Sequence, residues 1–385
     1  MLVVLVCRVL QRPSHADQML HEIVEKIATS RNSICQRVRH SAIFQDMFKT
    51  ASGNAPDADW AAAAEGDGLG SAKHRFDSVV SSFCRIVVYF HAVITTAIQI
   101  SVTRHTRPEG RDADDFLLFI GGDDIGLQRL VLVGMFCDAG DASLQLLRFY
   151  DTENYDAAQI CEAIQRFVRK LEWLFVNKHA ATCNTNYTAM MLKSLQKTRS
   201  VIVRGTPITI GSNFVGESIL KACYDRMCAW CVLAIGVVKA EFPAWEMLQG
   251  FSVFNVNALP KQTIIRKHMS RFAQNFDLPL HELLEHHATL LPGAIDLKKR
   301  CPDKSNADVW RAMEAKGALL ALLTRYITFC GCTTSGVEHT HTIQDWLFPK
   351  RRKRLSNESA NDEIKIIKDR NQHDESDIVE YAQDL

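Results

Sequence analysis

The sequence predicts a mainly α-helical fold, a multi-helix domain with little strand. Three observations carry this. Apolar residues recur at three- and four-residue spacing through most of the chain, the mark of helices with one buried face. Only residues 200–210 (SVIVRGTPITI) combine β-branched residues with a turn signal, read as Gly-Thr-Pro. A second candidate strand, 116–120, is five apolar residues long and reads equally well as the lead into a helix.

Taken in order, residues 14–49 have helical period. Leu20, Ile23, Val24 and Ile27 lie on one face, Ile34, Val38, Ile43 and Phe44 on a second, with a break expected near Ser30 to Asn32. Residues 50–70, rich in Gly, Asp and Ala, read as a loop. A long apolar helix is expected from the HRFDS motif at 74–78 to about Val102, then a charged connector over 103–115. Two short helices broken near Gly140 follow over 123–150. Ile160, Ile164, Phe167, Leu171 and Leu174 make 154–175 a clear amphipathic helix. Further helices are expected over 183–195, 216–240, part of 242–256, 263–276, 280–291 and 307–329. No repeat of fixed period stands out.

The 385 residues are 47% hydrophobic, enough for a sizeable core, and the formal net charge is +1, so no whole-chain charge argues for nucleic acid. Twelve cysteines are too sparse for a secreted disulfide scaffold, and most sit in apolar periodic stretches, which fits a reducing compartment. The start, MLVVLVCRVL, lacks the charged and cleavage regions of a signal peptide, and no run of about 18 uncharged apolar residues predicts a membrane span. A soluble, intracellular protein is expected.

Residues 332–355 (CTTSGVEHTHTIQDWLFPKRRKRL) concentrate the strongest local signals. Ser335 and Glu338 fit a capping box, in which the serine hydroxyl bonds the N3 amide and the glutamate reaches back to the cap. Ile343, Trp346 and Leu347 give the helix that follows an apolar face, Pro349 stops it, and Lys350, Arg351, Arg352, Lys353 and Arg354 come next. An acid-rich end, 357–385, follows and is expected to be disordered.

This layout resembles the C-terminal signature of hAT-family transposases, in which a Ser-x-x-Ser-Glu-Arg-type turn precedes a short helix, paired arginines and a leucine. His339 stands for the usual arginine and His341 for the usual aromatic residue. The resemblance extends by order and pattern. Residues 19–49 look like the family's basic helix pair, His74-Arg75-Phe76-Asp77-Ser78 like its Thr-Arg-Trp-Asn-Ser motif, and 123–175 like the helices after it. It implies helices and loop over 1–70, an insertion-type helical domain over 71–300, a dimerisation segment over 301–356 and the tail. On that alignment the chain begins inside the insertion of an RNase H-like nuclease, downstream of the first two catalytic carboxylates. Glu338 matches the third.

Each candidate site has a plainer reading beside it. Glu338 is either a residual metal-binding carboxylate or a capping residue, and a lone carboxylate cannot hold a catalytic Mg2+. In a second reading FLLFIGGDD, 116–124, is the first core strand of an active nuclease, and Asp123 or Asp124 shares a divalent metal with Glu338. Against it, Leu127, Leu130, Val131 and Gly134 space as a helix. The run Lys350 to Arg354 is a DNA-phosphate or nuclear-import segment, or a solvated turn. Ile343, Trp346, Leu347 and Phe348 are the candidate self-association face.

Cys228 and Cys231 have zinc-ligand spacing, but no second pair follows, and Cys223, Met227, Trp230 and Cys231 share a helix face, so core packing is expected. His281 and His286 are five apart, wrong for the zinc-protease helix, which needs four. Gly121-Gly122 lacks phosphate-loop spacing.

The expectation is a transposase-derived nuclear protein that self-associates as a homodimer or higher and contacts DNA, with no membrane partner. No cofactor is expected, and Mg2+ enters only under the nuclease reading. A third reading is a helical protein-binding scaffold.

Overall fold

The computed structural model describes residues 17–53, 76–150, 156–240 and 245–330. They are mainly helical and fall into two compact units, Met1–Arg148 with Ile160–Glu246, and Phe149–Gln159 with Met247–Leu385.

The first unit opens with α1 (Gln18–Val24), extended by a π-helical turn Glu25–Thr29. Asp17 caps it, accepting from the Met19 and Leu20 amides, and also pairs with Arg226. The expected break follows, and Ser33 caps α2 (Ile34–His40) through the Gln36 amide. After α3 (Ala42–Ser52), the expected single helix to Val102 is two, α4 (Phe76–Val88) and α5 (Phe90–Thr103), bent by 87°. The hinge is Tyr89, outside the helical region at φ −100° and ψ 27°, with its ring packed edge-on to Phe48 of α3. Both arms bury an apolar face, so their composition reads as one continuous helix.

The charged connector is helical from its middle. Pro108 starts α6 (Pro108–Ile120), where its missing N–H costs nothing. The candidate strand at 116–120 is therefore the last turn of α6, with Phe116, Leu117 and Ile120 buried.

The stretch read as two helices is one, α7 (Asp124–Tyr150), 27 residues long. Gly140 does not break it: a Cβ there would lie 2.7 Å from a Val80 methyl, so the glycine lets α4 approach. From Leu130 to Val133 and again from Met135 to Cys137, every side chain is at most 2% exposed. Among the described residues α7 is long and apolar enough to cross a membrane, and 89% of that apolar window is buried in the protein. A helix apolar all round fits a core position.

The unit continues with α8 (Ile160–Leu171), a π-helical turn Glu172–Val176 and α9 (Tyr187–Leu195). Then come an antiparallel hairpin, β1 (Arg199–Val203) with β2 (Thr206–Ile210), and α10 (Glu217–Ala240). The hairpin lies where expected, but its turn is Arg204-Gly205, with φ 51° and 78°. Two consecutive positive φ values make a type I′ turn, whose twist suits the strands. Thr206 and Pro207 belong to β2, paired with Val203 and Ile202. Gly121 and Gly122 seat the hairpin: a Cβ on Gly121 would lie 3.1 Å from Ile208, and the Gly122 amide donates to Thr209 O at 3.0 Å.

The second unit comprises the 3-10 turn Ala157–Gln159, α11 (Trp245–Gly250) leading in, and a second 3-10 turn Phe251–Phe254. It continues with α12 (Gln262–Phe276), α13 (Leu280–Arg300), α14 (Asn306–Arg311) and α15 (Gly317–Cys330). The helix expected over 307–329 is α14 and α15, and α13 runs through Pro292 rather than stopping at 291. Phe254 is central, 4.8 Å from the Tyr326 ring and 5.3 Å from Trp310, whose Nε1 donates to Phe254 O. Buried Asp156 accepts from the Tyr326 hydroxyl at 2.7 Å, from the Asn306 amide and from the Ala158 backbone N–H. These polar groups are hydrogen-bonded to one another, so the network fixes the packing without leaving the carboxylate short of donors.

A candidate polyanion-binding cleft

The bend at Tyr89 opens a concave surface in the first unit, and α9 and the start of β1 form its opposite wall. The cleft has a volume of about 1080 Å³. One wall carries Tyr89, His91, Thr95 and Gln99, and the other Lys193, Gln196, Lys197 and Arg199, with Asn184 and Thr185 at one end.

Two of the cations, Lys193 and Arg199, are positioned by local structure. Asp138 of α7 accepts from the amides of Tyr187 (2.8 Å) and Thr188 (3.0 Å) and from the Thr188 hydroxyl (2.6 Å). It therefore caps the start of α9, while Asn186, the residue at the cap position, turns its amide to His179 O and Ala180 O. Gly134 brings the two helices together, since a Cβ there would lie 2.8 Å from Thr188 Cα. That seating sets the direction in which α9 presents Lys193. Arg199 is clamped by its Nη1, which donates to the Thr95 hydroxyl, while Thr95 donates to His91 O.

The electrostatics are one-sided. Lys193, Lys197 and Arg199 line the cleft, and among the described residues no carboxylate lines it. Burial holds half-buried His91 below the usual imidazole range, and the nearby charges of Arg199 and Lys197 push it further down. The free cleft thus presents three permanent cations beside a neutral imidazole. Hydroxyl and amide groups of Thr185, Asn184 and Gln196 add hydrogen-bonding capacity at the same surface. Such a surface suits phosphate oxygens, which take charge and hydrogen bonds together.

The sequence does contain a signal for this site: no Asp or Glu occurs between Glu172 and Glu217, while Lys178, Lys193, Lys197, Arg199 and Arg204 do. Spacing alone does not reveal the cleft, because the opposite wall comes from the α4–α5 bend about a hundred positions earlier.

The residues singled out from the sequence are placed as follows. Asp123 is exposed and its Oδ1 accepts from the Gly126 amide at 2.8 Å, the bond of a helix cap. Asp124 is exposed in the first turn of α7. Neither ends a strand, since 116–120 is helical. Cys223, Met227, Trp230 and Cys231 are all at most 1% exposed, and burial pushes the Cys223 thiol up to about 12. Those are packing side chains, as expected. His281 is exposed and lies 3.5 Å from Glu285. Among the described residues no group of three or more His, Cys, Asp or Glu could hold a metal ion. Glu338, His339, His341, Ile343, Trp346, Leu347, Phe348 and the run from Lys350 to Arg354 lie outside the described residues, as do His74, Arg75 and the acidic tail 357–385.

In comparisons with known proteins, no family model, no curated protein and no solved structure matches the chain.

Proposed function

We propose that this chain is a transposase-derived, DNA-contacting helical protein of the hAT kind that works by binding rather than by cutting. The observation that carries the DNA contact is the cleft bearing Lys193, Lys197 and Arg199, lined by no carboxylate among the described residues. Three cations on one concave surface offer sequence-independent purchase on a phosphate backbone. The basic run Lys350 to Arg354 adds a second segment of the same sign, directed to DNA or to nuclear import. The capping role of Asp123 favours binding over the nuclease reading, which needs that residue at a strand end. Self-association is assigned to Ile343, Trp346, Leu347 and Phe348, and the location to the nucleus, both from the resemblance of 332–355.

The test is fluorescence anisotropy with a labelled duplex oligonucleotide across a salt series, comparing the full chain with a K193Q/K197Q/R199Q variant. A weaker, less salt-dependent complex for the variant is expected. Equal affinity and equal salt dependence would remove the cleft from the account, and no binding by the parent chain would remove DNA.

A further inference from the structure

In the second unit, α12 turns Ile265, His268, Met269 and Phe272 to the core. Gly250 seats it: a Cβ there would collide with the Phe272 ring, which packs 5.4 Å from the ring of Phe251. That seating turns the opposite side of the helix outward. Thr263, Lys267, Ser270 and Gln274 recur there at spacings of four, three and four, one row along the helix. Arg266 borders the row, three residues from Thr263 and four from Ser270, and Lys261 holds the cap position.

The charge on this side is uncompensated. No Asp or Glu occurs between Glu246 and Asp277, while Lys261, Arg266, Lys267 and Arg271 do. Lys261, Arg266 and Lys267 are exposed, and none of the three has an ion pair among the described residues. Elsewhere in the unit, Arg300 of α13 and Arg311 of α14 pair with Asp296 and Asp308 on their own helices. The stability of α12 does not require its charges either. A cation at a helix start adds to the positive end of the dipole, and α12 has no acid in its first turn to offset Lys261.

We propose that this face of α12 is an interaction surface for the phosphate backbone of duplex DNA, additional to the cleft, an inference that rests on the reading of the chain as DNA-contacting. Lys261, Arg266 and Lys267 meet phosphate oxygens, and Thr263 and Gln274 donate hydrogen bonds to them. Of the large apolar side chains of α12 only Ile264 is exposed, so the face lacks the apolar half that a helix needs to lie in a lipid surface.

Salt titrations of a labelled duplex with the full chain, with K261Q/R266Q/K267Q and with the cleft variant K193Q/K197Q/R199Q test this. With three phosphate contacts removed, the plot of log Kd against log salt for the α12 variant should be shallower by about 2–3. In the parent chain, saturating duplex should protect Lys267 from acylation, a readout that decides even if the variant does not fold. An unchanged slope in the folded α12 variant, or an unprotected Lys267 in a demonstrated complex, would overturn the α12 contact and leave the cleft standing. A shallower slope for the α12 variant with none for the cleft variant would support α12 and remove the cleft. No duplex binding by the parent would overturn both. Binding of poly-glutamate or of phosphatidylserine vesicles that the α12 variant loses, with duplex binding unchanged, would overturn DNA as the occupant.

Discussion

Asp138 and Thr188 are joined twice: one carboxylate oxygen of Asp138 accepts both the amide and the hydroxyl of Thr188, at 3.0 and 2.6 Å. Fifty positions apart in sequence, they fix where α9 begins. Truncating D138A would leave the Tyr187 and Thr188 amides and the Thr188 hydroxyl without their acceptor in a buried site. A loss of about 2–3 kcal/mol is expected in urea unfolding, the range for buried polar groups deprived of a partner.

The same carboxylate makes stability depend on pH. Burial pushes Asp138 up to about 6 against the opposing pull of its hydrogen bonds to Thr188 and Tyr187. Because the folded value exceeds the ordinary 3.8, the folded state holds the proton more tightly, so this contribution is complete below pH 4 and is lost as pH rises through 6. The parent chain should therefore lose up to about 3 kcal/mol relative to D138N between those limits, at about 1.4 kcal/mol per unit. Unfolding curves for both proteins at half-unit intervals measure the difference.

In the second unit the sign is opposite. His287 is 3% exposed, its Nε2 lies 3.1 Å from Val253 O, and burial, partly offset by that hydrogen bond, holds its pKa below the ordinary 6.5. A depressed histidine contributes stability that is complete above 6.5 and falls as pH drops toward its folded value. Tryptophan fluorescence should show acid loosening around Trp310, whose ring lies 5.4 Å from His287, and H287Q should reduce that dependence.

The hairpin turn offers a local test. Gly205 has φ 78° with open space where a Cβ would go, so G205A meets backbone strain alone and should cost about 1 kcal/mol. Arg204 reaches Asp114 at 3.1 Å and Asp115 at 2.8 Å from a side chain 45% exposed. Solvent screening limits R204A to about 1 kcal/mol. Chemical denaturation of the two variants distinguishes strain from lost pairing, because only R204A should lose part of its effect at high salt.

Much of the helical pattern was legible because α8, α10 and α12 each turn one apolar face to a core. Positions that depend on tertiary contacts were not. Gly140 has the composition of a helix break, yet it is the groove into which Val80 fits. Tyr89 carries no breaker signal, yet it bends the chain by 87°. Phe116 to Ile120 were ambiguous because an apolar run that short fits strand or helix. The cleft was only half legible for a similar reason: its cations are local in sequence, but the wall they face is not. Asp138 gave no local sign of its role, since the helix it caps starts far along the chain.

Binding should also be coupled to protons. A polyanion beside His91 would offset the cations that depress it, so its pKa would rise on binding and a proton would be taken up. DNA affinity should then increase as pH falls toward 6, and calorimetry in buffers of different ionisation enthalpy should register the uptake. H91N should abolish it while leaving the salt dependence in place.

Amine footprinting tests the central claim most directly. Lys193 and Lys197 are exposed in the free protein and should be acylated readily. With a saturating duplex oligonucleotide, both should be protected, while Lys298 and Lys299 of the second unit keep their reactivity. Unchanged labelling of Lys193 and Lys197 in a demonstrated complex would contradict the cleft as the DNA-contacting surface.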